Sequence, residues 1–64
     1  MKAVYIPTGE EFILTGSAYV RHEDESLWIA VSYLNEDGTT DSNQFPVNEE
    51  TGDIIHPDYQ LIFD

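Results

Sequence analysis

Cysteine is absent from this 64-residue chain, and basic residues are nearly absent. Without cysteine there is no disulfide framework and no thiolate metal site. Only Lys2 and Arg21 oppose thirteen acidic residues, which gives a formal net charge of −11. Contacts with phosphate groups need Lys and Arg to displace counterions. Direct binding to nucleic acid is therefore disfavoured, and so is binding to an anionic membrane surface.

Long hydrophobic runs are missing as well. No apolar stretch approaches the roughly 20 residues that a membrane-spanning helix needs. Residues 1–6 are too short for the hydrophobic core of a signal peptide, and Pro7 ends the run. Together with the absence of cysteine, this favours a soluble protein of the cytoplasm.

Sequence signals for catalysis and for bound cofactors are lacking. There is no glycine-rich phosphate loop and no serine in a nucleophile elbow. A calcium loop starting at Asp37 would need Gly where Ser42 stands and Glu where Asn48 stands. His22 and His56 have no close metal-ligand spacing. We therefore expect no enzymatic activity, no metal and no cofactor.

The pattern of residues 27–33, LWIAVSY, predicts a β-strand. Its odd positions are all large and apolar, which is the period of two that a half-buried strand shows. The alternative is a helix from about Asp24 to Leu34, with Asp24 as its N-cap. The spacing favours the strand.

The residues that follow predict a hairpin with a defined register. Asp37-Gly38 between β-type segments is a strong hairpin signal. A two-residue loop would place the apolar residues of the two strands on opposite faces, whereas a three-residue loop, 36–38, pairs Ile29 with Phe45 on one face. Burial should select the second register, with Gly38 in the left-handed conformation of a G1-type bulge. The expected core of the hairpin is Leu27, Ile29, Val31, Phe45 and Val47, with Tyr33 also inward.

The remaining turn signals recur every 8–12 residues, as in a small β-barrel or sandwich. Extended segments are expected at Ala3–Ile6, Glu10–Leu14, Ala18–His22 and Leu61–Phe63, with a break at Thr15-Gly16-Ser17, a polar loop at Asn48–Asp53 and a single turn at His56–Tyr59. No linker or repeat divides the chain. Residues 1–64 are therefore expected to form one small all-β domain.

The segments WIAVSYLNEDG…FPV and HPDYQLIF resemble small SH3-like β-barrel proteins of phage and prophage type. The resemblance implies a five-stranded barrel, or a strongly bent antiparallel sheet. SH3 domains that bind proline-rich peptides use an aromatic groove flanked by acids, and Tyr5, Tyr19, Trp28 and Tyr59 are the aromatic residues that this chain could supply.

The acidic residues cluster in the predicted loops and allow three interpretations. They could be solvated turn residues that maintain solubility and protect strand edges. They could converge to imitate the charge of a nucleic-acid backbone and so bind a basic protein. They could also hold a weakly bound cation. The resemblance to small phage proteins, some of which inhibit host proteins by charge mimicry, favours the second.

Trp28 is the candidate apolar contact within this acidic surface. By parity it faces away from Tyr33, so it is either an exposed contact residue or is covered by a loop such as Thr8–Glu11. The expected function is an acidic protein-interaction module that binds a basic, nucleic-acid-binding host protein. The alternative is a structural or assembly component that forms a homodimer through a strand edge. The predicted partner-binding residues are Glu23, Asp24, Glu25, Trp28, Glu36, Asp37, Asp41, Glu49, Glu50 and Asp53.

Overall fold

A computed structural model describes residues 1–63, and it contains five antiparallel strands in one sheet. The strands are β1 (Lys2–Tyr5), β2 (Glu10–Arg21), β3 (Leu27–Leu34), β4 (Thr40–Pro46) and β5 (Tyr59–Ile62). Their order in the sheet is β4-β3-β2-β1-β5. The prediction of an all-β fold is confirmed. The described part of the chain contains no helix that could cross a membrane.

The long strand β2 organises the sheet because it pairs with two different partners. Residues 10–13 pair with β1, and Leu14 together with residues 16–21 pairs with β3. The register with β3 shifts between Leu14 and Gly16, as at a β-bulge. The predicted break at Thr15-Gly16-Ser17 is therefore wrong. Gly16 and Ser17 stay in the ladder with β3, and Thr15 is the extra residue of the bulge, which bends the strand without ending it.

The hairpin of β3 and β4 has the register that the sequence predicts. Ile29 lies opposite Phe45, and residues 36–38 form the predicted three-residue loop between the paired residues Asn35 and Thr39. The N–H of Asn35 donates to the carbonyl of Thr39 (2.8 Å), and Gly38 adopts φ 88°. Residues 24–34 are not helical. The β-strand is favoured over a helix because the apolar side chains of β3 and of β4 lie on the same face of the sheet and are buried together.

The core lies on the inner face of this bent sheet. Its buried side chains are Ala3, Leu14, Ile29, Val31, Phe45 and Val47. Leu27 is half-buried against them, and the ring of Tyr33 packs 5.8 Å from that of Phe12. The predicted core of the hairpin is confirmed. The core remains thin, which is expected for a chain of this length.

The two edge strands, β4 and β5, approach one another but do not pair. The rings of Phe45 and Tyr59 lie 5.2 Å apart, and the sheet stays open between the strands. We call this gap the open seam. Beside the last residue of β4 the chain folds back onto this strand, and the N–H of Ile55 donates to the carbonyl of Pro46 (2.7 Å). The architecture is compatible with a small SH3-like barrel or a strongly bent sheet.

The connection from β4 to β5 matches the predictions in part. The polar loop 48–53 forms as expected, with Gly52 at φ 80°. The predicted single turn at His56–Tyr59 is wrong. The chain only bends at Pro57-Asp58, and Tyr59 already belongs to β5. The reason is the ladder with β1, because the N–H of Ile6 donates to the carbonyl of Asp58 (2.7 Å) and draws the following residues into the sheet.

Candidate protein-interaction site

Two turns of the domain, at residues 23–25 and 36–38, have the same construction. In the first, the N–H of His22 donates to Ser26 O (3.0 Å), and the N–H of Glu25 donates to His22 O (2.9 Å). In the second, Asn35 makes the equivalent bonds with Thr39 and Gly38. The sequences HEDES and NEDGT are therefore two versions of one three-residue hairpin loop.

The central aspartate of each loop holds the turn together. Asp24 Oδ1 accepts hydrogen bonds from the backbone N–H of Ser26 (3.0 Å) and from its hydroxyl (2.5 Å). Asp37 Oδ1 accepts the corresponding bonds from Thr39 (3.0 and 2.6 Å). The side-chain hydroxyl bond, followed by the backbone bond, lowers the pKa of each carboxyl below its ordinary value. Both aspartates are therefore turn-forming residues, whatever else they contact.

Glu25 and Gly38 occupy the same position in the two loops. Gly38 has φ 88°, and Glu25 has φ 69°, the one positive φ at a non-glycine residue in residues 1–63. A side chain in the left-handed region costs about 1 kcal/mol relative to glycine. The first loop thus carries a carboxylate at a position where glycine would be less strained.

A single arginine brings two acidic segments together. Arg21 Nη1 donates to the carbonyl of Glu25 (2.7 Å), and its Nη2 donates to Glu49 Oε1 (2.7 Å). The turn 23–25 therefore lies beside the loop 48–53. We call the exposed carboxylates of these two segments the acidic end: Glu23, Asp24, Glu25, Glu49, Glu50 and Asp53. Of these six carboxylates, that of Glu49 pairs with the guanidinium of Arg21.

The other predicted acidic residues lie at the opposite end of the hairpin. Glu36 and Asp37 are in the turn between β3 and β4, and Asp41 Oδ2 accepts a hydrogen bond from Asn35 Nδ2 (2.9 Å). The eight residues of β3 separate this tip from the acidic end. At the usual rise per residue that separation is about 23 Å. The ten predicted site residues therefore form two groups, and Trp28 lies with the first.

Trp28 is half-buried on the outer face of the sheet. The ring of His22 stacks on it at 4.6 Å with an interplanar angle of 5°, and Trp28 Nε1 donates to Ser26 Oγ (2.9 Å). His22 Nε2 in turn lies 2.9 Å from Gln44 Oε1. The prediction that a loop such as residues 8–11 covers Trp28 is wrong, because Glu10 and Glu11 begin β2, whereas Trp28 pairs with Val20 near the end of that strand.

Ile55 is a surface residue that the sequence predictions missed. It is 58% exposed and shares a shallow depression with Leu27, Pro46, Glu49 and Glu50. The sequence signal is the adjacent pair Ile54-Ile55, because neighbours in an extended segment face opposite sides and only one can be buried. The structure gives the inner position to Ile54, which pairs with the buried Val47. The acidic end therefore has an exposed aliphatic residue at its border.

Comparisons with known proteins do not place this chain in a family. No protein-family model, curated protein or solved structure matches it. In residues 1–63, no three His, Asp or Glu side chains come together as metal ligands would. The candidate site is therefore described by its geometry and charge alone.

Proposed function

We propose that this domain is an acidic protein-interaction module whose acidic end binds a basic protein surface. As a phage- or prophage-type protein acting in the cytoplasm, it would occupy the nucleic-acid site of a host protein by imitating the backbone charge. The arrangement at the acidic end supports this, because Arg21 contacts Glu25 O and Glu49 Oε1 and so joins two loops that together carry six exposed carboxylates.

The conformation of Glu25 is the observation that carries the proposal. Gly38 occupies the equivalent position in the loop 36–38, whereas the loop 23–25 has a glutamate there at φ 69°. Strained backbone conformations are enriched at binding sites and active sites. Because the side chain of Glu25 is exposed and accepts no hydrogen bond within residues 1–63, contact with a partner is the use we assign to it.

The surroundings of these carboxylates fit the usual anatomy of a binding surface. Energetically important contacts combine an apolar centre with a polar border. Ile55 and the half-buried Trp28 supply apolar area near the acidic end, and Glu49 and Glu50 line the depression beside Ile55. Charge then gives fast association and orientation, and the apolar groups give affinity.

The test compares two variants of equal charge in a capture experiment from host lysate. The first carries Glu23→Gln, Glu50→Gln and Asp53→Asn at the acidic end. The second carries Glu10→Gln, Glu11→Gln and Asp58→Asn, which lie outside the acidic end, the hairpin tip and β4. The wild type and the second variant should capture the same basic protein, and the first variant should not.

Charge mimicry adds two further expectations for the captured protein. Duplex DNA or RNA should compete for it, and its capture should weaken steeply between ~0.05 and ~0.5 M NaCl, because screening shortens the range of surface attraction. If the first variant captures as well as the wild type, the acidic end is not the site. If nucleic acid does not compete, the module binds by some other means.

A further inference from the structure

We propose that an extended, basic segment of the partner adds to the sheet along the free edge of β4, at Thr40–Gln44. This inference rests on the proposed function only in assigning the partner a positive charge. The segment would lie at the open seam as an additional antiparallel strand. Strand addition of this kind derives its affinity from backbone hydrogen bonds and its specificity from alternate side chains.

The hydrogen-bond pattern of the hairpin shows which backbone groups of β4 point outward. Backbone hydrogen bonds join Asn35 to Thr39 and Leu27 to Val47. In an antiparallel pair every second residue is hydrogen-bonded to the partner strand, so the odd-numbered residues of β4 bond to β3. The backbone groups of the even residues 40, 42 and 44 must then face away from β3. Within residues 1–63, the N–H groups of Thr40 and Ser42 have no acceptor.

The C-terminal end of this edge of β4 is already paired with an extended segment of the chain itself, residues 54–55. The next outward carbonyl, that of Pro46, is bonded to the N–H of Ile55, and Val47 pairs with Ile54 in an antiparallel bridge. The chain itself therefore covers the end of the edge and leaves the first five residues of β4 uncovered. All five, Thr40–Gln44, are exposed. Asn43 Oδ1 accepts the N–H of Gln44 (2.9 Å), a local bond that an incoming carbonyl could replace.

The open seam also provides a place for a side chain of the added strand. A cavity of about 40 Å³ lies between the two edge strands, lined by Asn43 of β4, Tyr59 of β5 and the core residues Phe12 and Tyr33. Asn43 is on the inner face, because it pairs with the buried Val31. A residue added opposite Asn43 would point to this face. The cavity suits a small aliphatic side chain.

Charge decides between a basic segment and a second copy of this chain. The edge begins next to Glu36 and Asp37, and Asp41 lies within it. A second copy would bring another −11 charge to this surface, and its repulsion would oppose pairing. Lysine or arginine at the end of an incoming segment would instead meet these carboxylates. The favoured occupant is therefore a strand with small aliphatic residues at its centre and basic residues at its ends.

One pair of substitutions tests the role of the edge directly. Ser42→Pro removes an outward N–H without removing a hydrogen bond to β3, and proline is tolerated at such edge positions. Ser42→Ala removes the hydroxyl but keeps the N–H. Circular dichroism of each variant establishes that the sheet is intact.

The probe is the peptide acetyl-Lys-Lys-Thr-Val-Thr-Val-Thr-Lys-Lys-amide. A control peptide has the same sequence with N-methyl groups on two adjacent central residues, which blocks both of its edges while keeping its charge. The first peptide should bind the wild type and Ser42→Ala alike. Loss of a backbone bond should weaken its binding to Ser42→Pro at least about tenfold. The methylated peptide should be weakened similarly on the wild type, and the first peptide should slow hydrogen exchange at the N–H groups of Thr40 and Ser42.

Three results would overturn this inference. The first is equal binding of the two peptides, which would mean that charge alone attracts them. The second is no binding of the unmethylated peptide at low salt. The third is concentration-dependent protection of Ser42 without peptide, which would place a second copy on the edge. The capture variants at the acidic end leave β4 unchanged, so a failure of the proposed function is distinguishable from a failure here.

Discussion

At the scale of single residues, Glu25 and Gly38 offer a direct comparison, because they hold the same position in two loops of the same construction. Glu25→Gly should raise the free energy of unfolding by about 1 kcal/mol, since glycine adopts a positive φ without steric strain. Urea denaturation at neutral pH measures the change. Glu23→Gly is the matched control, because it removes the same charge from the same loop at a residue without positive φ.

The control should lose stability, because the added glycine gains freedom in the unfolded chain and relieves no strain. If both variants change equally, the φ of Glu25 carries no energetic cost. In that case, the strain argument for its role in binding fails as well. If Glu25→Gly is more stable but loses the captured partner, stability and function are opposed at this one residue.

Asp37 provides a prediction of pH dependence. Its hydrogen bonds from Thr39 lower the pKa of the folded state below the unfolded value of about 3.9. A depressed folded pKa contributes stability that is present above the unfolded pKa and is lost as the pH falls through the folded pKa. Asp37→Asn should therefore be less stable than the wild type at pH 7, and the difference should narrow as the pH falls below about 4.

Glu36→Gln is the control for this measurement, because Glu36 lies in the same turn and its carboxylate accepts no hydrogen bond within residues 1–63. It removes one charge without removing a turn-forming bond. Denaturation curves from pH 7 down to about 2 compare the two variants. A constant difference between Asp37→Asn and the wild type over this range would mean that the charge of Asp37 has no part in holding the turn.

At the scale of strands, the two faces of the sheet differ sharply in burial, and matched substitutions can measure the difference. Ile29 in β3 is 2% exposed, whereas Ile13 in β2 is 66% exposed. Ile29→Val should destabilise the domain by about 1 kcal/mol, because it leaves a gap in the core. Ile13→Val removes the same methylene at the surface and should stay within about 0.5 kcal/mol. Equal losses in urea denaturation would contradict the assignment of faces.

The sequence predicts the hairpin of β3 and β4 well because the information is local. Alternation in both strands, together with Gly38, leaves only one register that buries Ile29 against Phe45. The continuity of β2 was not predictable in this way. Thr15-Gly16-Ser17 has the composition of a turn, and only its pairing with a distant strand keeps it extended.

The curvature of the sheet is also a property of distant contacts. Tyr19 lies opposite Ile29 and so belongs to the inner face by register, yet it is 59% exposed. The sheet does not close over it. Similarly, the sequence places acidic residues in loops but cannot show which loops meet. The contact from Arg21 to Glu49 joins residues far apart in the chain, and it depends on the path of the loop 48–53.

At the scale of the whole molecule, which measures 35 × 22 × 20 Å, nine of the thirteen acidic residues belong to the acidic end or to the hairpin tip. The acidic end and the hairpin tip each hold several carboxylates, and the described bases are already engaged, Lys2 with Glu11 and Arg21 with Glu49. The Debye length falls from about 30 Å at 0.01 M salt to about 10 Å at 0.1 M. Repulsion within each end, and between the ends, should therefore weaken over this range of salt.

We accordingly expect the Tm to rise as NaCl increases from ~0.01 to ~0.5 M, since screening relieves repulsion that opposes the folded state. The variant carrying Glu23→Gln, Glu50→Gln and Asp53→Asn should start from a higher Tm at low salt and respond less to NaCl. MgCl₂ at equal ionic strength should act like NaCl if screening is the whole effect, and a larger rise would indicate a bound divalent cation. A fall in Tm on adding NaCl would mean that the carboxylates are arranged favourably in the folded state, and it would contradict net repulsion among them.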